Sequence, residues 1–257
     1  MIKVTVWSEY SHENPDYERC NERAIAVHPH GLHETVADIV RELGDEVEVR
    51  AVHLWQEEQG LTQQLLDDTD VLIWWGHMLH NKVEDEYVER VYQRVLDGMG
   101  LIALHSGHHS KIFKKINGTT CNLKWVDNTY ERIFTIDPAH PIAAGIPEHF
   151  ELGTEECYGE LFDIAPPDDV IFLGWFDIGE VFRSGCTWHR GYGKIFYFQP
   201  GHETNTSFQN PYVRRIIQNA VKWCYNENRR PYTNAPKILT TLEDMRKGET
   251  GEYLQIK

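Results

Sequence analysis

This chain places histidine where its apolar runs end. His77 comes two residues after Val71-Leu72-Ile73-Trp74-Trp75, His105 directly after Leu101-Ile102-Ala103-Leu104, and His202 four residues after Phe196-Tyr197-Phe198. Short, unbroken apolar runs suit strands covered on both faces, as in a parallel sheet between helices. The ends of such strands lie side by side at one rim, where open α/β sheets bind ligands. The three imidazoles are therefore expected to converge. Imidazoles with a nearby carboxylate suit Zn²⁺ or another divalent ion, whose open position polarises a carbonyl or acidifies water. His77, His105 and His202 are the metal-ligand candidates, and a hydrogen-bonded cleft without metal is the alternative. Their spacing matches no compact motif such as HExxH, so the ligand set stays open.

Neighbouring residues extend the set. Glu203 can orient the ring of His202 or act as a base, and His105 and His202 are catalytic candidates beside it. Gly107 supports a sharp strand-to-helix turn that holds His105 and Ser106 at the rim. Ser106 and His108 are placed as substrate-binding groups, together with His33, which shares the first turn of a helix with Glu34. The helix dipole there favours anionic ligands and lowers a histidine pKa. Glu9 and His12 follow the first strand and face the same edge. Glu155 is a further catalytic candidate, and Glu155, Glu156 and Glu160 are carboxylate candidates for the same cleft, in a segment with Tyr158 expected to loop across the rim, with a solvated acidic loop as the competing reading. Trp7, Trp74, Trp75, Trp125, Trp175 and Trp188 read mostly as core, with room for one or two near the strand ends to stack on a sugar face.

The elements that must hold these residues alternate in type. Ile2, Val4 and Val6 mark a first strand, and after a long loop Leu32, Val36, Ile39, Val40 and Leu43 mark a helix stopped at Gly44. Val47, Val49 and Ala51 alternate with charged residues as a strand nearer an edge. Thr62 caps a short helix through Leu66, and Tyr87, Val88, Val91, Val95 and Leu96 form another, ended by Gly98. Ser110 to Ile116 read as helix, and Arg132 to Ile136, Val170 to Phe176, Glu180 to Thr187 and Gly193 to Phe198 as strands. Pro211 at a helix N1 position opens Tyr212 to Tyr225. The pattern predicts one α/β domain over residues 1–225 with a central, mostly parallel sheet. The polar stretch 226–257 reads as an extension that wraps the domain or a second subunit, so a homo-oligomer is expected.

Composition narrows the class. A formal net charge of −15 in 257 residues argues against nucleic acid, whose phosphates need clustered Lys and Arg. Five scattered cysteines without a CxxC pair suggest neither a disulfide framework nor a thiolate zinc knuckle, and a reducing cytoplasm is expected. Met1 to Trp7 is too short for a signal-peptide core, and no apolar run reaches membrane-spanning length, so no membrane association is expected.

Two resemblances add to this. The bend at His105 resembles the nucleophile elbow of class I glutamine amidotransferases, where a cysteine stands in that place, and His202-Glu203 is similar to their catalytic pair. An imidazole there removes the thioester-forming thiol, so cysteine glutaminase activity is not expected. Trp74-Trp75-Gly76-His77, Leu104-His105-Ser106-Gly107-His108, Ser110-Lys111-Ile112-Phe113-Lys114, Cys121-Asn122-Leu123-Lys124-Trp125, Glu155-Glu156-Cys157-Tyr158-Gly159-Glu160, Gly179 to Gly185 and Phe196 to Glu203 together resemble the ThuA-like trehalose-utilisation family. That resemblance implies a flavodoxin-like, amidotransferase-like three-layer sandwich. It also implies a role in catabolism of trehalose or a related disaccharide, beside an oxidoreductase that makes 3-keto sugars. Isomerisation, elimination or hydrolysis of a 3-keto glycoside is the chemistry such a site would serve, and a non-catalytic sugar-binding or regulatory protein on the same scaffold is the rival expectation.

Overall fold

The computed structural model describes residues 1–232 together with Thr240, Thr241, Glu243 and Lys247. Its strands are β1 (Ile2–Ser8), β2 (Val47–His53), β3 (Val71–Trp75), β4 (Gly100–Leu104), β5 (Lys124–Thr135), β6 (His149–Gly159), β7 (Asp169–Phe176), β8 (Val181–Arg190) and β9 (Gly193–Phe198). The helices are α1 (Glu22–Val27), α2 (Leu32–Arg41), α3 (Gln63–Asp67), α4 (Asp85–Leu96), α5 (Lys111–Asn117) and α6 (Pro211–Cys224). One sheet contains all these strands, in the order β2-β1-β3-β4-β9-β8-β7-β5-β6. The first five are parallel, with the strand order of flavodoxin-like folds. From β8 onward each strand runs antiparallel to its neighbour.

The unbroken apolar runs occupy the middle of the parallel half because both faces are covered. Val4, Val6, Ile73, Ile102 and Phe196 pack under α2 and α6. Trp7, Leu72, Trp74, Leu101 and Ile195 alternate with them and pack under α3, α4 and α5. Each such side chain contributes roughly 1.5–3 kcal/mol by leaving water. At the edge β2 is half-buried along most of its length, in line with its alternating sequence. The caps are local: Thr62 Oγ1 accepts from Leu65 N, Ser110 Oγ from Phe113 N, and Pro211 occupies the first turn of α6.

Three readings change. The acidic segment at 155–160 is not a loop up to Gly159: Glu155, Glu156, Cys157 and Tyr158 are buried in β6, and Glu160 beyond it forms a two-point pair with Arg183. The strand expected at Arg132 begins at Lys124, and its first half is an exposed arm on which Trp125 is not core. The connection after β1 contains α1, capped by Asn21. The extension starts by folding back under the amino ends of the strands, where Arg229 donates to Thr69 O and pairs with Asp70, and Arg230 N donates to Asp97 O. Nearly all the rest of 226–257 lies outside the described residues. Among the described residues no helix is long and apolar enough to cross a membrane.

Candidate functional site

The parallel topology delivers the ends of β1, β3, β4 and β9 to one rim, and β6 curls over them. The rings of His77, His105 and His202 are mutual neighbours there, with centroids 6.0, 5.4 and 5.4 Å apart. Glu203 is almost fully buried among them, with Oε1 3.1 Å from His12 Nδ1 and Oε2 3.0 Å from His77 Nδ1. Burial opposes its charge, but His77, His202 and His12 hold it well below the usual carboxylate range. Burial likewise opposes protonation of His77, yet Glu203, backed by Glu156 and Glu9, lifts its pKa to about 9.

His105 is held differently. Its φ of +51° makes it the left-handed residue of the bend, in place of Gly107. Such a conformation costs a non-glycine residue about 1–3 kcal/mol and persists only where the surroundings enforce it. Gly107 serves close approach, since a Cβ there would lie 3.2 Å from the carbonyl oxygen of Trp74. His105 Nδ1 donates to the carbonyl of Gln199 at 2.9 Å, which leaves Nε2 facing a Glu156 oxygen at 2.9 Å and the Tyr158 hydroxyl at 3.3 Å. Burial disfavours the imidazolium, but Glu156 reverses the balance and raises the pKa, while the same ion pair lowers that of Glu156. His202 has the opposite tautomer. Its Nδ1 accepts from Thr204 N at 3.2 Å, so the neutral ring, favoured by burial, carries its proton on Nε2.

Of the other predicted residues, Ser106 and His108 line the cleft. Ser106 Oγ donates to Gly76 O, and His108 Nδ1 donates to Cys121 O. Glu155 is enclosed behind it. Its carboxylate accepts from the backbone N–H groups of Glu156, Gly201 and His202 and from Asn205 and Ser207, so it fixes the loop that carries His202 and Glu203. His33 is not brought to the cleft. It lines a separate hollow with Tyr10 and His53 and contacts Ser8 Oγ. Glu156, a carboxylate candidate from the sequence, lines the cleft, and Tyr158 beside it was hidden in a segment whose charge suggested a loop. His12 and Glu9 carried the signal of following β1; Glu9 accepts from Met78 N and anchors the His77 loop.

The geometry fits a cation. His12, His77 and Glu203 offer ligand atoms all within 4.8 Å of one another, and so do His77, Glu156 and His202. His77 Nδ1 and Glu203 Oε2, though close, are buried without an aligned hydrogen bond, as is Glu156 Oε2. Unpartnered lone pairs aimed at one another are costly unless a proton or metal ion lies between them. The ligand candidates at the strand ends thus gain His12 and Glu203, while both nitrogens of His105 face other partners. No thiolate competes: Cys157 and Cys186 are buried, which pushes each thiol to about 12.

These features define a flavodoxin-like α/β protein with an imidazole–carboxylate cleft at the carboxyl ends of its parallel strands. Residues 3–224 match the family model ThuA, trehalose utilisation, and the chain belongs to that family. A ThuA-like protein from Parabacteroides merdae is similar in structure, with a TM-score of 0.63 at 15% identity over 92% of this chain and 93% of that one. A ThuA-like protein from Bacteroides uniformis has a TM-score of 0.60 at 13% identity, covering 90% and 95%. A cytoplasmic protein from Salmonella typhimurium has a TM-score of 0.58 at 14% identity, covering 88% and 100%. At these identities the likeness is one of fold. No curated protein matches the chain in sequence.

Proposed function

We propose that this protein is a sugar-catabolic enzyme that acts on a disaccharide or its 3-keto derivative, with Glu156, His105 and His202 as its acid–base groups. The observation that carries the reading is the pairing of the buried His105 with Glu156, which lines one cavity together with a neutral His202. Family membership supplies the sugar class, and the buried acid–base groups supply the chemistry.

A ketone at C3 acidifies the C2–H bond. Glu156, kept anionic by His105, takes that proton. The released electron pair forms a C1–C2 double bond as the C1–O bond breaks, and the leaving oxygen receives the proton of His202 Nε2. If the C1–O bond stays intact, the same first step leads to isomerisation through an enediol. His12, His77 and Glu203 would hold a divalent ion such as Zn²⁺, which when bound supplies Lewis acidity toward a sugar oxygen. A 3-keto substrate has to be supplied by an oxidoreductase, the partner this reading requires.

Incubation of the purified protein with 3-keto-trehalose tests the proposal. Product should form, and Glu156→Gln and His202→Asn should each lose about 100-fold or more in turnover while remaining folded. Saturable binding without product would instead establish the non-catalytic rival.

A further inference from the structure

The cleft is double. One cavity of about 340 Å³ and another of about 270 Å³ share Asp127, Glu156 and His202 as their common wall. Their remaining walls differ in kind. In the first, Trp125 is 65% exposed and stands at the rim with Leu123 and the buried ring of Tyr158. Trp125 and Tyr158 face each other across the β5–β6 ladder, so strand pairing sets their spacing. The second cavity has no apolar side chain in its wall and is lined by groups such as Arg23, Asn128, Thr204 and Asn205.

The partition arises from a bulge. Pairing of β5 with β6 jumps from Val126–Cys157 to Thr129–Glu155, leaving Asp127 and Asn128 opposite Glu156 alone. Asn128 takes φ +61°, a left-handed conformation that asparagine tolerates better than most residues. Bulges of this sort re-aim side chains beside functional sites. Here the bulge places Asp127 between the cavities and Asn128 in the second.

A hexose ring has a C–H face that loses water favourably against an indole and a rim of hydroxyls that need donors and acceptors. We infer that the two cavities are the two sugar subsites of a disaccharide. One ring stacks on Trp125, the other is held by hydrogen bonds to Asn128 and Arg23, and the linkage lies beside Glu156 and His202. This assignment rests on the sugar-enzyme reading above, but it makes claims about binding alone.

Calorimetric titration of the intact protein with trehalose and with glucose, neither of which carries the ketone, tests it separately from turnover. Trehalose should bind at least about tenfold more tightly than glucose, because it fills both subsites. Trp125→Ala should weaken both sugars about tenfold, and Trp125→Phe should restore most of the loss. Asn128→Gly, which keeps the left-handed backbone, should weaken trehalose toward the glucose value and leave glucose unchanged. Equal wild-type affinities for the two sugars, or unchanged affinities in folded Trp125→Ala, would overturn the subsites. A protein that binds as described but forms no product from 3-keto-trehalose would refute the catalytic proposal and leave the subsites standing.

Discussion

His105 Nδ1 lies 2.9 Å from the carbonyl oxygen of Gln199, so one hydrogen bond ties the strained bend after β4 to the exit of β9. Because a carbonyl can only accept, the bond fixes the proton on Nδ1 and turns Nε2 toward Glu156. Replacing Glu156 by Gln removes the charge that holds His105 protonated. The ring should then release its proton, with a loss of about 1–3 kcal/mol in stability from the disrupted buried pair. Chemical denaturation and the NMR titration of the His105 ring check both parts; an unchanged imidazole pKa would contradict the pairing.

Glu155 holds its loop through several donors at once. Truncation to Ala leaves them buried and unsatisfied, so Glu155→Ala should cost about 3–5 kcal/mol and move the His202–Glu203 segment. A urea midpoint equal to that of the native chain would show that the loop is held by something else.

Gly201 takes φ +127°, and a Cβ there would meet the Phe208 ring at 2.5 Å. Gly201→Ala therefore combines backbone strain with overpacking and should destabilise by about 2–4 kcal/mol. Thermal denaturation reads the effect directly, and it should exceed that of Gly145→Ala, where a Cβ would meet nothing within 4 Å.

Acid should weaken the fold. Burial lowers the pKa of His28 to about 4, and burial, with His53 nearby, does the same to His33. Both are depressed below the unfolded value of 6.5, so the unfolded chain binds protons that the folded chain refuses. Their contribution is intact above about pH 6.5 and is lost as the pH falls toward 4, with a slope approaching about 1.4 kcal/mol per pH unit for each ring. His28→Gln should flatten the pH dependence of unfolding free energy by one such slope over that window; an unchanged slope would mean that His28 titrates normally in the fold.

Glu203 is the carboxylate between His12 and His77. If these three hold a divalent ion, Glu203→Gln should weaken Zn²⁺ binding by about 10- to 100-fold in a calorimetric titration. Equal affinity in the two proteins would remove Glu203 from the ligand set.

Much of the fold was legible because burial on both faces leaves a strand no room for polar residues. Val71–Trp75 and Gly100–Leu104 announce themselves in this way, and parallel strands bring their ends to one rim. That is why His77, His105 and His202 could be placed together from positions far apart in sequence. β6 was not legible in the same way. A run with Glu155 and Glu156 reads as solvated, because the donors that make their burial tolerable lie at residues 105 and 201–207. His33 follows the same logic in reverse: its position at the start of α2 was legible, but its side chain turns toward Ser8 and His53.

The sequence by itself determined the alternation of helix and strand, the apolar centre of the sheet, and which ends carry imidazoles, since these follow from local spacing and side-chain type. Only the tertiary structure decided that Glu203 sits between His12 and His77, that His105 takes the strained backbone, and that a bulge in β5 divides the cleft. Those are distances between elements remote in the chain, set by how β6 folds over the rim, and no local pattern encodes them.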